Sequence, residues 1–296
     1  MSSPENQTTA NQPSDIAPEY AAPPPHEQPV AEEPAKLGPV SRLTGTLFSP
    51  GETFADVNRK PTWLAPFLIA VVTTLALSIF FEWRVKPDWD KFFQTMAEKR
   101  LGKSLKELPP EQQEQVQKQL NIQKRFATTD FTSPLSIVIA LGRTIVFYAF
   151  AFLVPTGVFA LAMLLMQAQT TFKKILSVVA WSWCATGLVY VIVVIASLMM
   201  RDSESLRDIN LADPAGIVPS NLAVVLPSGT SPVLTSIAGS LDIFTLWYLI
   251  LLGIGLASVA GAKRFKTSKA ITVVFGVWVV WVLVKTGFAA LGFGAR

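Results

Sequence analysis

The stretch Leu241–Leu291 reads LDIFTLWYLILLGIGLASVAG, then AKRFKTSK, then AITVVFGVWVVWVLVKTGFAAL. The first run carries one charge, Asp242, at its start, and the second carries one, Lys285, near its end. Each is longer than the roughly 20 residues that an α-helix needs to cross a hydrocarbon core of about 30 Å. Lys263, Arg264, Lys266 and Lys269 lie between them with no acid, and a short basic loop of this kind is held in the cytoplasm. The pair reads as a transmembrane helical hairpin beside which the other apolar runs should pack.

Three further runs are long enough to cross. Trp63–Phe81 is bracketed by Trp63 and Trp83, residues that favour membrane interfaces. Pro134–Met166 would be a helix of about 50 Å, too long for one untilted span and too short for two. Arg143 assigns the part before it to the surface and the span to Thr144–Met166, with a kink expected at Pro155. Ile175–Met200 follows a tight connection bearing Lys173 and Lys174. The expected fold is all-α: a polytopic integral membrane helix bundle of five transmembrane helices, at about 63–83, 144–166, 175–200, 241–261 and 270–291. These make one domain over 41–296.

Residues 1–40 differ in kind. They hold nine prolines and the acids Glu5, Asp15, Glu19, Glu27, Glu32 and Glu33 against Lys36. So few large apolar groups cannot offset the chain entropy of ordering, and a disordered acidic tail is expected. No apolar core or basic start marks it as a signal peptide. Next, Ser49-Pro50-Gly51-Glu52 fits a capping box opening a short helix, with Phe54 and Val57, that should lie at the interface. The polar segment 84–133 holds ten Lys/Arg and seven Asp/Glu. It should form two amphipathic helices capping the bundle, one with Trp89, Phe92, Phe93 and Met96 on a face, the other with Val116, Leu120 and Ile122. In 201–240, Leu222–Leu226 and Val233–Ile237 are too short to cross.

The basic short loops favour a cytoplasmic N-terminus and an extracytoplasmic C-terminus, although this puts the ten basic residues of 84–133 outside. The chain is 50% hydrophobic and 16% charged, against about 25% charged in a soluble domain. Its net charge of +4 is expected to meet the lipid bilayer and not nucleic acid, since no nucleic-acid fold motif accompanies it. Cys184 is the sole cysteine, and His26, the sole histidine, lies in the tail. A disulfide within the chain, a Cys/His metal site and histidine-dependent catalysis within the spans are thereby excluded. No catalytic, cofactor or metal residue is assigned.

Two groups of residues merit a role. Gly253, Ala257 and Gly261 recur every four residues, a spacing that lets helix backbones approach closely, with Gly276 and Gly287 as the facing groove. Arg143, Asp242 and Lys285 are charges at membrane depth, functional candidates by default. Each has a structural explanation: Asp242 at a positive helix end, Lys285 able to snorkel, Arg143 at the edge of its span. The hydroxyls Thr73, Thr74, Ser78, Thr144, Ser182 and Thr186 are scattered along the spans, and no acidic or histidine relay can be assembled.

Four stretches, LFSPGETFADVNRKPTWLAPF (Leu47–Phe67), TFKKILSVVAWSW (Thr171–Trp183), LDIFTLWYLILLGIGL (Leu241–Leu256) and SKAITVVFGVWVV (Ser268–Val280), together resemble the Yip family of Ypt/Rab-interacting five-span membrane proteins. The 84–133 segment looks like that of the bacterial branch. The resemblance covers about 41–296. It implies a five-span architecture with a cytosolic N-terminus and brings no catalytic residues. The expected function is a non-enzymatic membrane scaffold or partner-recruiting factor in a bacterial plasma (inner) membrane. Its expected partners are the bilayer and a protein partner or second copy of unknown identity. A small-molecule permease or channel is the alternative.

Overall fold

The computed structural model describes residues 36–202, 206, 217–227, 229–261 and 265–291. Most of the acidic tail, together with Lys263 and Arg264, lies outside the described residues. The described residues hold ten α-helices and two short 3-10 helices, and no strand beyond an isolated bridge between Asn221 and Asp242.

The chain opens with α1 (Pro39–Phe48) and α2 (Pro50–Arg59), separated by Ser49 alone. The Ser49 N–H donates to the Gly45 carbonyl, closing α1, and its carbonyl accepts the Thr53 hydroxyl at 3.0 Å. Its side chain makes no cap, so the capping box expected here does not form, and Pro50 alone sets the helix start. Nor is α2 an interfacial appendage. Phe54 and Val57 are completely buried, inserted between α7 and α9.

Four helices are long and apolar enough to cross a membrane: α3 (Leu64–Val85), α6 (Pro134–Leu165), α7 (Phe172–Met200) and α10 (Thr267–Ala290). A shorter apolar helix, α9 (Ile243–Val259), has 17 residues, about 26 Å. It is the most enclosed of the set, touching α2, α7 and α10. Trp63 and Trp83 stand exposed at the two ends of α3.

Sequence reasoning divided Pro134–Met166 at Arg143. Instead α6 is one helix of 32 residues, about 48 Å long. The Ser133 side chain caps it, arginine is a good helix former, and nothing between Leu135 and Arg143 breaks a helix. The helix also runs through Pro155.

Both amphipathic helices of the polar segment are present, as α4 (Trp89–Leu101) and α5 (Pro110–Ala127). They pack on each other, with Phe93, Met96, Val116 and Leu120 lining the space between them, while Ile122 is exposed. The Trp89 indole donates to Glu82 at the end of α3. Before α9 comes a nine-residue helix, α8 (Pro232–Ser240), packed on α10.

One end of the bundle gathers α1, α2, the start of α3, the α6–α7 connection and the α9–α10 connection. It bears Arg59, Lys60, Lys173, Lys174, Lys266 and Lys269 and is called the basic end below. A large apolar core runs through this half, around Phe54, Val178, Trp181, Leu252 and Leu256. A smaller core at the opposite end joins Val85, Val194, Leu198, Leu206 and Val218.

Candidate functional site

The small-residue positions and the membrane-depth charges fall at several places. Gly253 faces Ile271 of α10 so closely that a Cβ there would lie 2.6 Å from Ile271 Cγ1 and 3.0 Å from its Cα. Ala257, one turn on, is buried. Gly261 lies beyond the end of α9 with φ +85° and open space around it, so the three do not line one contact. Gly276 and Gly287 have nothing within 4 Å, so the groove facing Gly253 comes from Ile271 and not from them. Sequence spacing missed Gly255, where a Cβ would meet Val178 and come within 3.1 Å of the Phe54 ring.

Arg143 is exposed on α6. Lys285 is exposed on α10, and its Nζ donates to Ser240 Oγ at 3.2 Å. Asp242 is the N-cap of α9: its Oδ1 accepts the Thr245 N–H at 2.9 Å, and Oδ2 accepts the Ser220 hydroxyl.

Two arrangements are built from residues that are distant in sequence. The first locks the basic end. Arg42 of α1 and Asp56 of α2 form an ion pair of 2.7 Å with side chains only 3% and 5% exposed. The guanidinium donates twice to Asp56 Oδ2 and also to the Lys60 carbonyl and Thr62 hydroxyl. Asp56 Oδ1 accepts the Lys36 N–H at 2.7 Å. Burial on its own would raise the Asp56 pKa, but the Lys36 N–H and the Arg42 guanidinium stabilise the carboxylate and hold it below the ordinary value. The Trp181 indole, donating to the Thr62 carbonyl at 2.9 Å, ties the same turn to α7. In sequence Arg42 and Asp56 read as ordinary surface charges, and nothing local marks them as a pair.

The second is a cavity of about 470 Å³ between the two apolar cores. Ala70, Tyr148 and Leu249 bring the larger core to its wall, and Leu77, Tyr190 and Phe244 the smaller. Thr73, Thr74 and Thr186, scattered along two spans in sequence, converge on it, as do Cys184, Thr245 and the capping carboxylate Asp242. Thr74 and Tyr148 satisfy each other at 2.7 Å. Tyr248 does not share this: its hydroxyl is buried and has no hydrogen-bond partner among the described residues. Two aromatic pairs stand perpendicular at the wall, Trp183–Tyr248 at 5.7 Å and 80° and Tyr190–Phe244 at 5.2 Å and 81°.

Comparison with known proteins matches a family model described as the Yip1 domain to residues 44–289, most of the chain. The chain belongs to the Yip1 domain family. The match runs from within α1 to the last turn of α10, so it takes in the cavity and most of the basic end, while Lys36 and Arg42 lie just before it. Searches of curated proteins and of solved structures gave no match. With its apolar helices, membership makes this a multi-pass integral membrane protein of the Yip family.

Proposed function

We propose that this Yip-family protein is a non-enzymatic membrane scaffold that recruits partners from its basic end. The supporting observation is the construction of that end. The Phe54 and Val57 side chains insert α2 into the bundle, and the Arg42–Asp56 pair fixes α1 to α2. A rigid two-helix platform results, with Val40 and Phe48 turned outward and residues 1–35 preceding it in the chain. A fixed platform lowers the ordering entropy that a partner must offset on docking. The platform shares its end with the basic short connections, which by the positive-inside rule is the cytoplasmic side of a plasma membrane. The resemblance to bacterial members supports placing it in an inner membrane.

Photo-crosslinking residues at Val40 and Phe48 test the recruiting role in intact cells. Discrete protein adducts are expected there, and none from the lipid-facing positions Val72 and Leu161. Lipid adducts at all four positions would remove the reading. Orientation is tested in a Cys184→Ala background with single cysteines at Gln169, Ser268 and Gln117. An impermeant thiol reagent should reach only the last.

The convergence of Thr73, Thr74 and Thr186 on the cavity favours a second reading, a small-molecule permease. A permease would have to open the basic half, where Phe54, Val178, Leu252 and Leu256 are fully buried.

A further inference from the structure

We infer that the cavity between the two cores is a binding site for a protonated amine carried on an apolar body. This site is independent of the recruiting role and could exist without it.

Size comes first. A volume of about 470 Å³ lies within the range of small-molecule sites, about 300–1,000 Å³, which are mostly apolar with a few placed polar groups. Charge comes next. The described lining holds one carboxylate, Asp242, and no lysine or arginine. An anion would meet the carboxylate without a compensating cation, and a neutral apolar ligand would leave it unused. Asp242 keeps acceptor capacity, because a carboxylate offers about four lone-pair sites and, among the described residues, two bonds to it are made, from Thr245 and Ser220.

The aromatic wall points the same way. A cation is attracted to a ring face within about 6 Å of its centroid, more strongly where water is excluded. Trp183, Tyr190, Phe244 and Tyr248 all line the space, packed edge-to-face in two pairs, Trp183 with Tyr248 and Tyr190 with Phe244, and put aromatic rings on its wall. Either a free amphipathic amine or the ammonium of an aminophospholipid head carries that chemistry.

Thermal unfolding in a non-ionic detergent, with 2-phenylethylamine and its near-isostere 2-phenylethanol as probes, tests the inference. Binding to the folded protein alone raises the midpoint with ligand concentration. The amine should stabilise at concentrations where the alcohol does not. Asp242→Asn keeps the helix cap, since asparagine caps as well as aspartate, and should weaken amine binding by about tenfold or more. Competition by added phosphatidylethanolamine would identify the lipid head as the source, and its absence a free amine. Equal stabilisation by amine and alcohol, no stabilisation by either, or unaltered amine binding in folded Asp242→Asn would each overturn the inference.

Discussion

The two ends of α7 and α9 differ, although the same helices form both. From Ile175 to Ser182, α7 is buried at every position, and in α9 every residue from Leu249 to Val259 is buried except the exposed Ile250 and the partly buried Ile254 and Ser258. Toward the other end, α7 from Gly187 to Val191 and α9 from Phe244 to Tyr248 are only half-buried and border the cavity. The difference is α2. It drives Phe54 against Gly255 and Val178, closing the basic half, whereas among the described residues no side chain fills the cavity. Apolar spans have no strong drive to seek one another in lipid, so shape complementarity decides where they close. Rigidity gathers where small residues and an inserted wedge coincide.

Removing one partner of the buried ion pair should give the largest effect. Asp56→Asn leaves Arg42 buried against an uncharged amide, and such losses cost about 3–5 kcal/mol. The midpoint in detergent should fall sharply. The same pair predicts a pH dependence. Because the folded-state pKa of Asp56 lies below its ordinary value of 3.8, its contribution is complete above that value and is lost as pH falls through the folded pKa. Wild type should lose this part of its stability in acid, and Asp56→Asn should not. Comparable in size is Phe54→Ala, about 3–5 kcal/mol for emptying a large core site. Equal midpoints for Phe54→Ala and wild type would mean that α2 does not close the bundle.

Next come the glycines. Gly255→Leu and Gly253→Leu force side chains against Phe54 and Ile271, and overpacking costs about 1–3 kcal/mol. Gly276→Leu enters open space and should be neutral or stabilising by up to about 1 kcal/mol through helix propensity. Smallest is the exposed pair of the far hairpin, Lys124–Asp90, with side chains 36% and 66% exposed. Asp90→Asn should change stability by less than about 1 kcal/mol.

Composition and period disclosed the solvent, the apolar helices and the α4–α5 pair, because each follows from residues close together in the chain. Asp242 at a helix start was equally local. What stayed hidden depends on distant partners. Phe54 and Val57 give the same pattern whether α2 lies on lipid or inside protein, and only contact with Gly255 and Val178 distinguishes the two. Gly276 looked as suited to close packing as Gly253 until the neighbours were known. The α6 boundary was misplaced because one arginine shifts hydropathy without breaking a helix. The cavity was illegible for the same reason as the ion pair: Thr73, Thr186 and Tyr248 meet only in space.

The contrast between the two ends is tested most directly by hydrogen exchange of the purified full chain, read at the amides of α2 and of α5. If α2 is part of the core, its amides from Thr53 to Val57 should exchange only through global unfolding and slow in step with overall stability. Those of the exposed α5 should exchange far faster through local opening. Exchange of α2 as fast as α5, under conditions where Leu249–Val259 stays protected, would contradict the placement of the wedge.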